Sequence, residues 1–524
     1  MDMGEAARPH ALFSVSDKTG LVDFARVVAE CGFTILSTGG TAKALRDAGL
    51  EVVDVSAYTG FPEMMDGRLK TLHPMVHGGL LAKRDDPAHM AALREHGMGP
   101  IDLVVVNLYP FASTVSKADV QREEAIEQID IGGPTMLRSA AKNHASVTVV
   151  CDPADYEVVA SALGDGGIDE ALRRRLARKV FAHTAEYDAT IAGWLAEKDE
   201  GAAFPELWVQ SLRLAAELRY GENPHQGAAF YTSPHAKPGS IASARFLGAN
   251  KELSYNNLLD LDAALELIRE FTPDLAACAI VKHNNPCGVG RGASLALAFR
   301  NALSGDPVSA FGSIVACNVP IDRLAAQEIA KPGNFVEAVI APAVDEDALE
   351  ILRSAKFGKN LRILVTGPLE ADNDRRVVRA VSGGLLVQDC DAARVTAELE
   401  YVTRRRPDAE ELRALRFAWS VCKHVRSNAI VLAKGDAVVG VGAGQMSRVD
   451  SVRIATDKAG ERCHSAALAS DAFFPFADGL EMAAERGVRA VIQPGGSRKD
   501  DEVIAAAERA DIAMVFTGRR HFRH

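Results

Sequence analysis

The chain has 524 residues, 48% of them hydrophobic and 25% charged, so it can bury large cores and is expected to divide into two or three domains. Its formal net charge of −11 excludes a general nucleic-acid binder, which needs clustered positive surface, but leaves room for small anionic ligands where cations gather locally. The eight cysteines, Cys31, Cys151, Cys278, Cys287, Cys317, Cys390, Cys422 and Cys463, form no CxxC, which excludes zinc and dithiol redox spacings and suggests a reducing compartment.

At the start of the chain, Asp2, Glu5, Arg8 and His10 interrupt any signal-peptide pattern, and no apolar run reaches membrane-spanning length. This predicts a cytoplasmic chain with no membrane partner. Short β-type runs follow at 11–15, 33–37, 51–55, 103–108 and 146–150, alternating with helical patterns such as 21–30, where Leu21, Val22, Phe24, Ala25, Val27 and Val28 make one apolar face. The alternation predicts a parallel sheet covered on both sides. Residues 168–194 read as a helix whose Arg173-Arg174-Arg175 is a solvated face, and 197–201 as a linker, so a domain boundary is expected near 200. Beyond it, apolar runs at 276–281, 313–317, 336–341, 437–441 and 512–516 alternate with helical stretches over more than 300 residues. Two subdomains are expected there, with the polar stretch 370–376 a candidate border. No low-complexity tract or short-period repeat is found.

Two turns of the first part follow expected strands and precede expected helices: Ser14-Val15-Ser16-Asp17-Lys18-Thr19-Gly20 and Ser37-Thr38-Gly39-Gly40-Thr41. Free N–H groups, hydroxyls and a positive helix end make such turns anion sites. Without a GxxxxGK[ST] pattern the better ligand is a monophosphate. Gly67-Arg68-Leu69-Lys70-Thr71-Leu72-His73-Pro74 adds cations and a hydroxyl. Asn107-Leu108-Tyr109-Pro110, Asp130-Ile131-Gly132-Gly133 and Lys142-Asn143-His144 add a phenol, a carboxylate and an ammonium at loop-like positions.

In the second part, Lys282-His283-Asn284-Asn285-Pro286-Cys287-Gly288 follows the apolar run 276–281, which is expected to be a buried strand ending at a Pro and Gly turn. Lys282 and His283 would then emerge where a strand becomes a loop, a usual place for chemistry in α/β enzymes. A neutral imidazole can take a proton near pH 7 and an ammonium stabilises developing negative charge, which suits transfer of an acyl-like group to nitrogen. Upstream, Leu218-Arg219-Tyr220-Gly221-Glu222-Asn223-Pro224-His225-Gln226 offers an Arg for phosphate and a Tyr for stacking on a heterocycle.

The first-part motifs at 14–20, 37–41, 67–74, 107–111, 130–133 and 141–144 resemble the IMP cyclohydrolase domain of the bifunctional AICAR transformylase/IMP cyclohydrolase family, over essentially residues 8–200. Those at 218–226, 282–288, 309–312, 442–448 and 470–476, with the terminal 517–522, resemble its transformylase half. The resemblance implies an α/β fold: a methylglyoxal-synthase-like parallel domain over 1–200, then a larger transformylase domain over 201–524 made of two cytidine-deaminase-like subdomains. It implies formyl transfer from the co-substrate 10-formyltetrahydrofolate to the amine of aminoimidazole carboxamide ribonucleotide (AICAR), then dehydrative closure of the product (FAICAR) to inosine monophosphate (IMP). The partners implied are purine nucleotides and folate, and the assembly a homodimer.

Residue by residue, the resemblance implies that Lys142, Asp130, Tyr109 and Lys70 serve ring closure. Ser14, Ser16, Lys18, Ser37, Gly39, Thr41, Arg68, Thr71, Asn107 and Gly132 would hold that nucleotide. In the transformylase half, His283 would be the base, Lys282 the oxyanion support, and His225 an orienting group. Arg219, Tyr220, Asn257, Gly312, Glu337, Asn428, Arg448, Phe473 and Arg520 would contact the nucleotide, and Val308, Val449, Pro475 and Phe476 the folate. Asn284 departs from the family's common pattern, where a smaller or β-branched residue is more usual.

Three other readings carry less. A nucleotide-sensing protein that has lost its chemistry is opposed by intact Lys142, Lys282 and His283. A metal-dependent deaminase is opposed by the missing PCxxC ligand set, so no catalytic metal is expected. Gly440-Val441-Gly442-Ala443-Gly444 hints at dinucleotide binding but lacks the GxGxxG spacing.

Overall fold

The computed structural model describes residues 8–117, 119–198, 204–234, 236–248, 251–370, 375–392 and 399–524. The chain divides into two compact units, 1–211 and 212–524.

In the first unit the strands are β1 (His10–Val15), β2 (Thr34–Ser37), β3 (Val53–Asp54), β4 (Ile101–Asn107) and β5 (Thr148–Val150). They form one sheet in the order β3-β2-β1-β4-β5, and every pairing is parallel. Helix α1 (Leu21–Glu30) packs Leu21, Phe24, Ala25 and Val28 on one face with Ala11, Phe13 and Val105. The other face is covered by α3 (Pro74–Leu81), α4 (Gly132–Lys142) and α5 (Glu170–Lys198), with Leu12, Val104 and Val106 beneath them. The expected doubly covered parallel sheet is what forms. The third strand is shorter than the run 51–55, because Val55 already begins a short helix, Val55–Thr59. The last helix continues to Lys198, so the expected linker begins inside it, and 199–201 lie outside the described residues. Helix α2 (Gly39–Asp47) starts directly after β2.

The second unit opens with a hairpin of β6 (Arg213–Leu218) and β7 (Ala228–Thr232). Its main body is built twice. The first copy contains β8 (Arg245–Phe246), α6 (Tyr255–Ile268), the hairpin β9 (Ala276–Lys282) and β10 (Asn285–Gly292), α7 (Leu295–Leu303), β11 (Ser313–Cys317), β12 (Val336–Ala341) and β13 (Arg362–Val365). A separate hairpin, β14 (Arg376–Val381) and β15 (Gly384–Asp389), falls between the copies. It begins at the end of the expected border, whose residues 371–374 are outside the described ones. The second copy contains β16 (Glu400–Tyr401), α8 (Ala409–Cys422), the hairpin β17 (Ile430–Lys434) and β18 (Ala437–Gly442), α9 (Arg448–Ala459), β19 (Ala467–Ser470), β20 (Ala490–Gln493) and β21 (Ala513–Phe516).

All but the two outlying hairpins join one twelve-stranded sheet, β16-β21-β20-β19-β17-β18-β10-β9-β11-β12-β13-β8. Read outward from its centre, each half has the same order: hairpin, an antiparallel neighbour, two parallel strands, and a short antiparallel edge. Helices α6 and α8 cover one face in a core that runs through both halves, while the other face is packed separately for each half. At the centre, α7 and α9 lie directly on glycine-bearing strands. A Cβ on Gly288 would sit 1.9 Å from the Ala302 carbonyl oxygen, and one on Gly442 1.9 Å from that of Ser451. Of the glycines that hinted at a dinucleotide, Gly440 and Gly442 therefore serve helix-on-strand packing, and Gly444 takes a positive φ just past the strand.

Candidate functional site

In the first unit the expected site residues gather at the carboxyl ends of β1, β2 and β4, the usual ligand edge of a parallel sheet. Asn107 ends β4 and pins the loop after β1: its Oδ1 accepts the N–H groups of Ser16 (2.7 Å) and Asp17 (2.9 Å), and its Nδ2 donates to the Asp17 carbonyl (2.9 Å). Ser37 and Thr41 are buried, and their hydroxyls donate to the β1 carbonyls of Phe13 (2.8 Å) and Val15 (3.0 Å). They shape the turn between β2 and α2. The ammonium groups of Lys70 and Lys18 flank that turn, 3.3 Å and 3.9 Å from where Cβ atoms on Gly39 and Gly40 would stand. A helix start with two cations beside it is an anion cradle. Lys70 also pairs with Glu63 at 2.9 Å, and Arg68 with Glu127.

Beside the cradle, Thr71 Oγ1 lies 2.7 Å from where a Gly132 Cβ would stand. The Asp130 carboxylate accepts the Gly133 N–H at 2.8 Å and the backbone N–H of Tyr109. Burial pushes this carboxyl above its ordinary value, against those two hydrogen bonds. The Tyr109 side chain is half exposed at the same place. A carboxyl that keeps its proton longer than usual, a phenol and an ammonium can together move a proton and stabilise an oxyanion.

Lys142 is not brought to this cluster. It is the last residue of α4, whose first residue is Gly132 beside Asp130, and ten steps of helical rise place it about 15 Å away. It is exposed, next to Asn143, which is held by the carbonyls of Leu80 and Ala82 and leads into the start of β5 at the opposite sheet edge. The resemblance gave both residues a part in ring closure, at positions that read as loops; in the structure the helix Gly132–Lys142 runs between them.

In the second unit, Lys282 ends β9, and His283 and Asn284 form a two-residue turn with φ of 52° and 60° before Asn285 opens β10. The turn is therefore not the Pro and Gly run. Pro286, Cys287 and Gly288 are inside β10, with a register shift between Pro286 and Gly288 that accommodates the proline. Lys282 Nζ donates to the Phe311 carbonyl at 2.7 Å, beside Gly312, whose N–H donates to the Phe335 carbonyl at 2.7 Å. His283 is exposed at the tip.

Close by, Arg219 lies over the Tyr220 ring at 4.7 Å and donates to its hydroxyl at 2.9 Å. Asn257 caps α6 with Ser254 and donates from Nδ2 to Glu337 at 3.0 Å. Arg362, which was missed, stands 3.8 Å from Glu337; burial pushes its guanidinium below the ordinary value, with Glu337 opposing and the neighbouring Arg219 cation adding to the fall. Asp260, also missed, accepts the Asn284 N–H at 2.6 Å. Both had a signal: Asp260 is three residues after Asn257 on one helix face, and Arg362 is a lone cation opening an apolar strand. His225 is exposed on the turn closed by the Gly221 N–H to the Gln226 carbonyl.

The second half of the sheet reaches the hairpin through Arg426, whose N–H donates to Asn285 Oδ1 at 3.0 Å. Two residues on, Asn428 joins a buried network: Arg448 donates to Asn428 Oδ1 (2.7 Å), Ser470 Oγ (2.8 Å) and Asp471 Oδ1 (2.5 Å), while Ser427 donates to Asp471 Oδ2 (2.6 Å). The Arg448 guanidinium thus has three protein partners. Phe473, Pro475, Phe476, Arg520 and Val308 are exposed, with Lys499 over the Phe476 ring, and Val449 is half-buried. Among the described residues, no group of three or more His, Cys, Asp or Glu side chains is placed to hold a metal ion.

The family model "AICARFT/IMPCHase bienzyme" matches residues 140–458, and "MGS-like domain" matches 20–135. The "Bifunctional purine biosynthesis protein PurH" of Parvibaculum lavamentivorans is 55% identical over 98% of this chain and 97% of its own length. Those of Sorangium cellulosum (56%; 98% and 99%) and Roseobacter denitrificans (55%; 98% and 98%) are equally similar in extent.

Proposed function

The chain belongs to the AICARFT/IMPCHase bienzyme family, a bifunctional purine-biosynthesis enzyme that is both AICAR formyltransferase and IMP cyclohydrolase, and we propose how its residues divide that work. Residues 201–524 transfer the formyl group and residues 1–200 close the ring. The observation that carries the assignment is the hairpin tip, where Lys282, anchored on the Phe311 carbonyl, precedes an exposed imidazole.

The AICAR amine is conjugated with an electron-poor ring and is a weak nucleophile. As its nitrogen attacks the formyl carbon of 10-formyltetrahydrofolate, His283 takes the amine proton and the Lys282 ammonium stabilises the oxyanion. Collapse of the tetrahedral adduct breaks the bond to the folate nitrogen, which leaves with a proton as tetrahydrofolate. Arg219, Tyr220, Asn257, Gly312 and Glu337, with the added Arg362, form the nucleotide face. Asn428 and Arg448 support it from the second half, and Phe473 and Arg520 are further contacts. His225 orients the substrate, and Val308, Val449, Pro475 and Phe476 form the folate face.

For closure, the carboxamide nitrogen attacks the formyl carbon and water leaves. Asp130, Tyr109 and Lys70 exchange the protons and stabilise the oxyanion, with the phosphate in the cradle of Gly39, Lys18 and Lys70. Lys142 stands outside this set. Ser14, Ser16, Arg68, Thr71 and Gly132 line the nucleotide, while Ser37, Thr41 and Asn107 act by holding the turns. The enzyme is a cytoplasmic homodimer in this reading; cysteines spread along the chain with no CxxC support a reducing compartment. Following IMP absorbance from AICAR and 10-formyltetrahydrofolate tests the whole assignment: IMP accumulates with the intact chain, and failure with either half disabled follows.

A further inference from the structure

The two turn residues that carry the imidazole have positive φ, a conformation uncommon for non-glycine residues, and neighbouring groups hold it here. The holder is Asp260 of α6. Its carboxylate accepts the Asn284 N–H at 2.6 Å and also the His283 N–H. The Asn284 side chain turns back onto the same helix: its amide faces Asp260 Oδ1 and the Leu259 carbonyl, two acceptors that its NH2 group satisfies. One helical turn therefore carries Asn257, bonded to Glu337, and Asp260, bonded to the catalytic tip.

We propose that Asp260 is a positioning residue for formyl transfer: its carboxylate fixes the His283-Asn284 turn and supplies the negative charge that stabilises His283 once it has accepted the amine proton. The proposal rests on the assignment of His283 as the base. Two features separate Asp260 from an ordinary turn cap. Its carboxylate accepts the backbone N–H groups of both turn residues, and it is half-buried, where charge interactions are weakly screened. The charged groups facing it are His283, which favours its ionised form, and Glu337, which opposes it; burial, the largest influence, raises its pKa. The equivalent hairpin of the second half, Lys434-Gly435-Asp436-Ala437, has a glycine where His283 stands. Only the first copy needs a carboxylate for an imidazole.

The test is formyl transfer by Asp260→Asn, Asp260→Glu, His283→Ala and the Asp260→Asn/His283→Ala double variant, over pH 5 to 9. Cyclisation of supplied FAICAR by the same chains checks that they are made, and an unchanged AICAR KM that the transformylase unit is folded. Asn keeps an oxygen acceptor for the turn but no charge, so Asp260→Asn is expected to lower kcat roughly 10-fold or more with the AICAR KM nearly unchanged. Asp260→Glu recovers part of that loss, and Asp260→Asn adds nothing in the His283→Ala background. A wild-type rate for Asp260→Asn, Glu no better than Asn, or an additive loss in the double variant overturns the proposal. Near-normal transfer by His283→Ala overturns instead the assignment on which it rests.

Discussion

Lys282 Nζ lies 2.7 Å from the carbonyl oxygen of Phe311, and the second half repeats the contact: Lys434, at the end of β17, donates to the His464 carbonyl at 3.2 Å. The lysine-to-carbonyl contact therefore belongs to the duplicated scaffold. What differs is the next residue, His283 in one copy and Gly435 in the other. Replacing Lys282 by Ala should lower formyl transfer about 100-fold or more, the usual effect of losing an oxyanion donor. Lys434→Ala should leave transfer within about 2-fold, because no base accompanies it. Steady-state rates of the two variants decide this; equal losses would mean that the contact matters only for the fold.

In the cyclohydrolase unit, Lys142→Ala is expected to close FAICAR at close to the normal rate, since the residue ends α4 at the far edge of the sheet. Asp130→Asn, which removes the half-buried carboxyl beside Tyr109, should slow closure about 100-fold. A stopped reaction in Lys142→Ala with Asp130→Asn still active would reverse the assignment.

The Arg448–Asp471 pair is an internal strut. Asp471 is fully buried and receives Arg448 and Ser427 together. Asp471→Ala leaves a buried guanidinium without its counter-charge and should cost about 3–5 kcal/mol in urea unfolding of the transformylase unit. A change below about 1 kcal/mol would show that water replaces the carboxylate.

His424 should make the same unit acid-sensitive. Its Nε2 faces Glu270 Oε1 at 3.0 Å and its Nδ1 faces Arg523 at 3.3 Å, an arrangement that suits a neutral ring donating from Nε2 and accepting at Nδ1. Burial pushes its pKa below the ordinary 6.5, with the Glu270 hydrogen bond opposing. The unfolded chain then binds the proton first. Stability is full above pH about 6.5 and falls toward the lower folded value, by at most about 1.4 kcal/mol per pH unit. His424→Gln should flatten denaturant midpoints between pH 6.5 and 5; an unchanged slope would place the acid sensitivity elsewhere.

Much of this was legible from residue patterns. The alternating runs of the first unit predict its parallel sheet because buried parallel strands are short, apolar and separated by amphipathic helices. The catalytic hairpin was legible in its residues and not in its geometry. Pro286 and Gly288 look like turn punctuation, but a register shift absorbs the proline and glycine is needed against α7, so the turn moves back onto His283 and Asn284. Asp260 was hidden because an acidic residue near a helix start reads as solvated until the hairpin is seen above it. The two subdomains of the second part come from the family resemblance and not from a visible repeat, because Lys282-His283-Asn284-Asn285 and Lys434-Gly435-Asp436-Ala437 share a backbone and only one residue type.

The most direct test of the account is the product formed by His283→Ala from two starting points, AICAR with 10-formyltetrahydrofolate, and FAICAR alone. The account predicts that IMP forms from FAICAR at the normal rate and falls by about 100-fold or more from AICAR. Near-normal IMP formation from AICAR would contradict it.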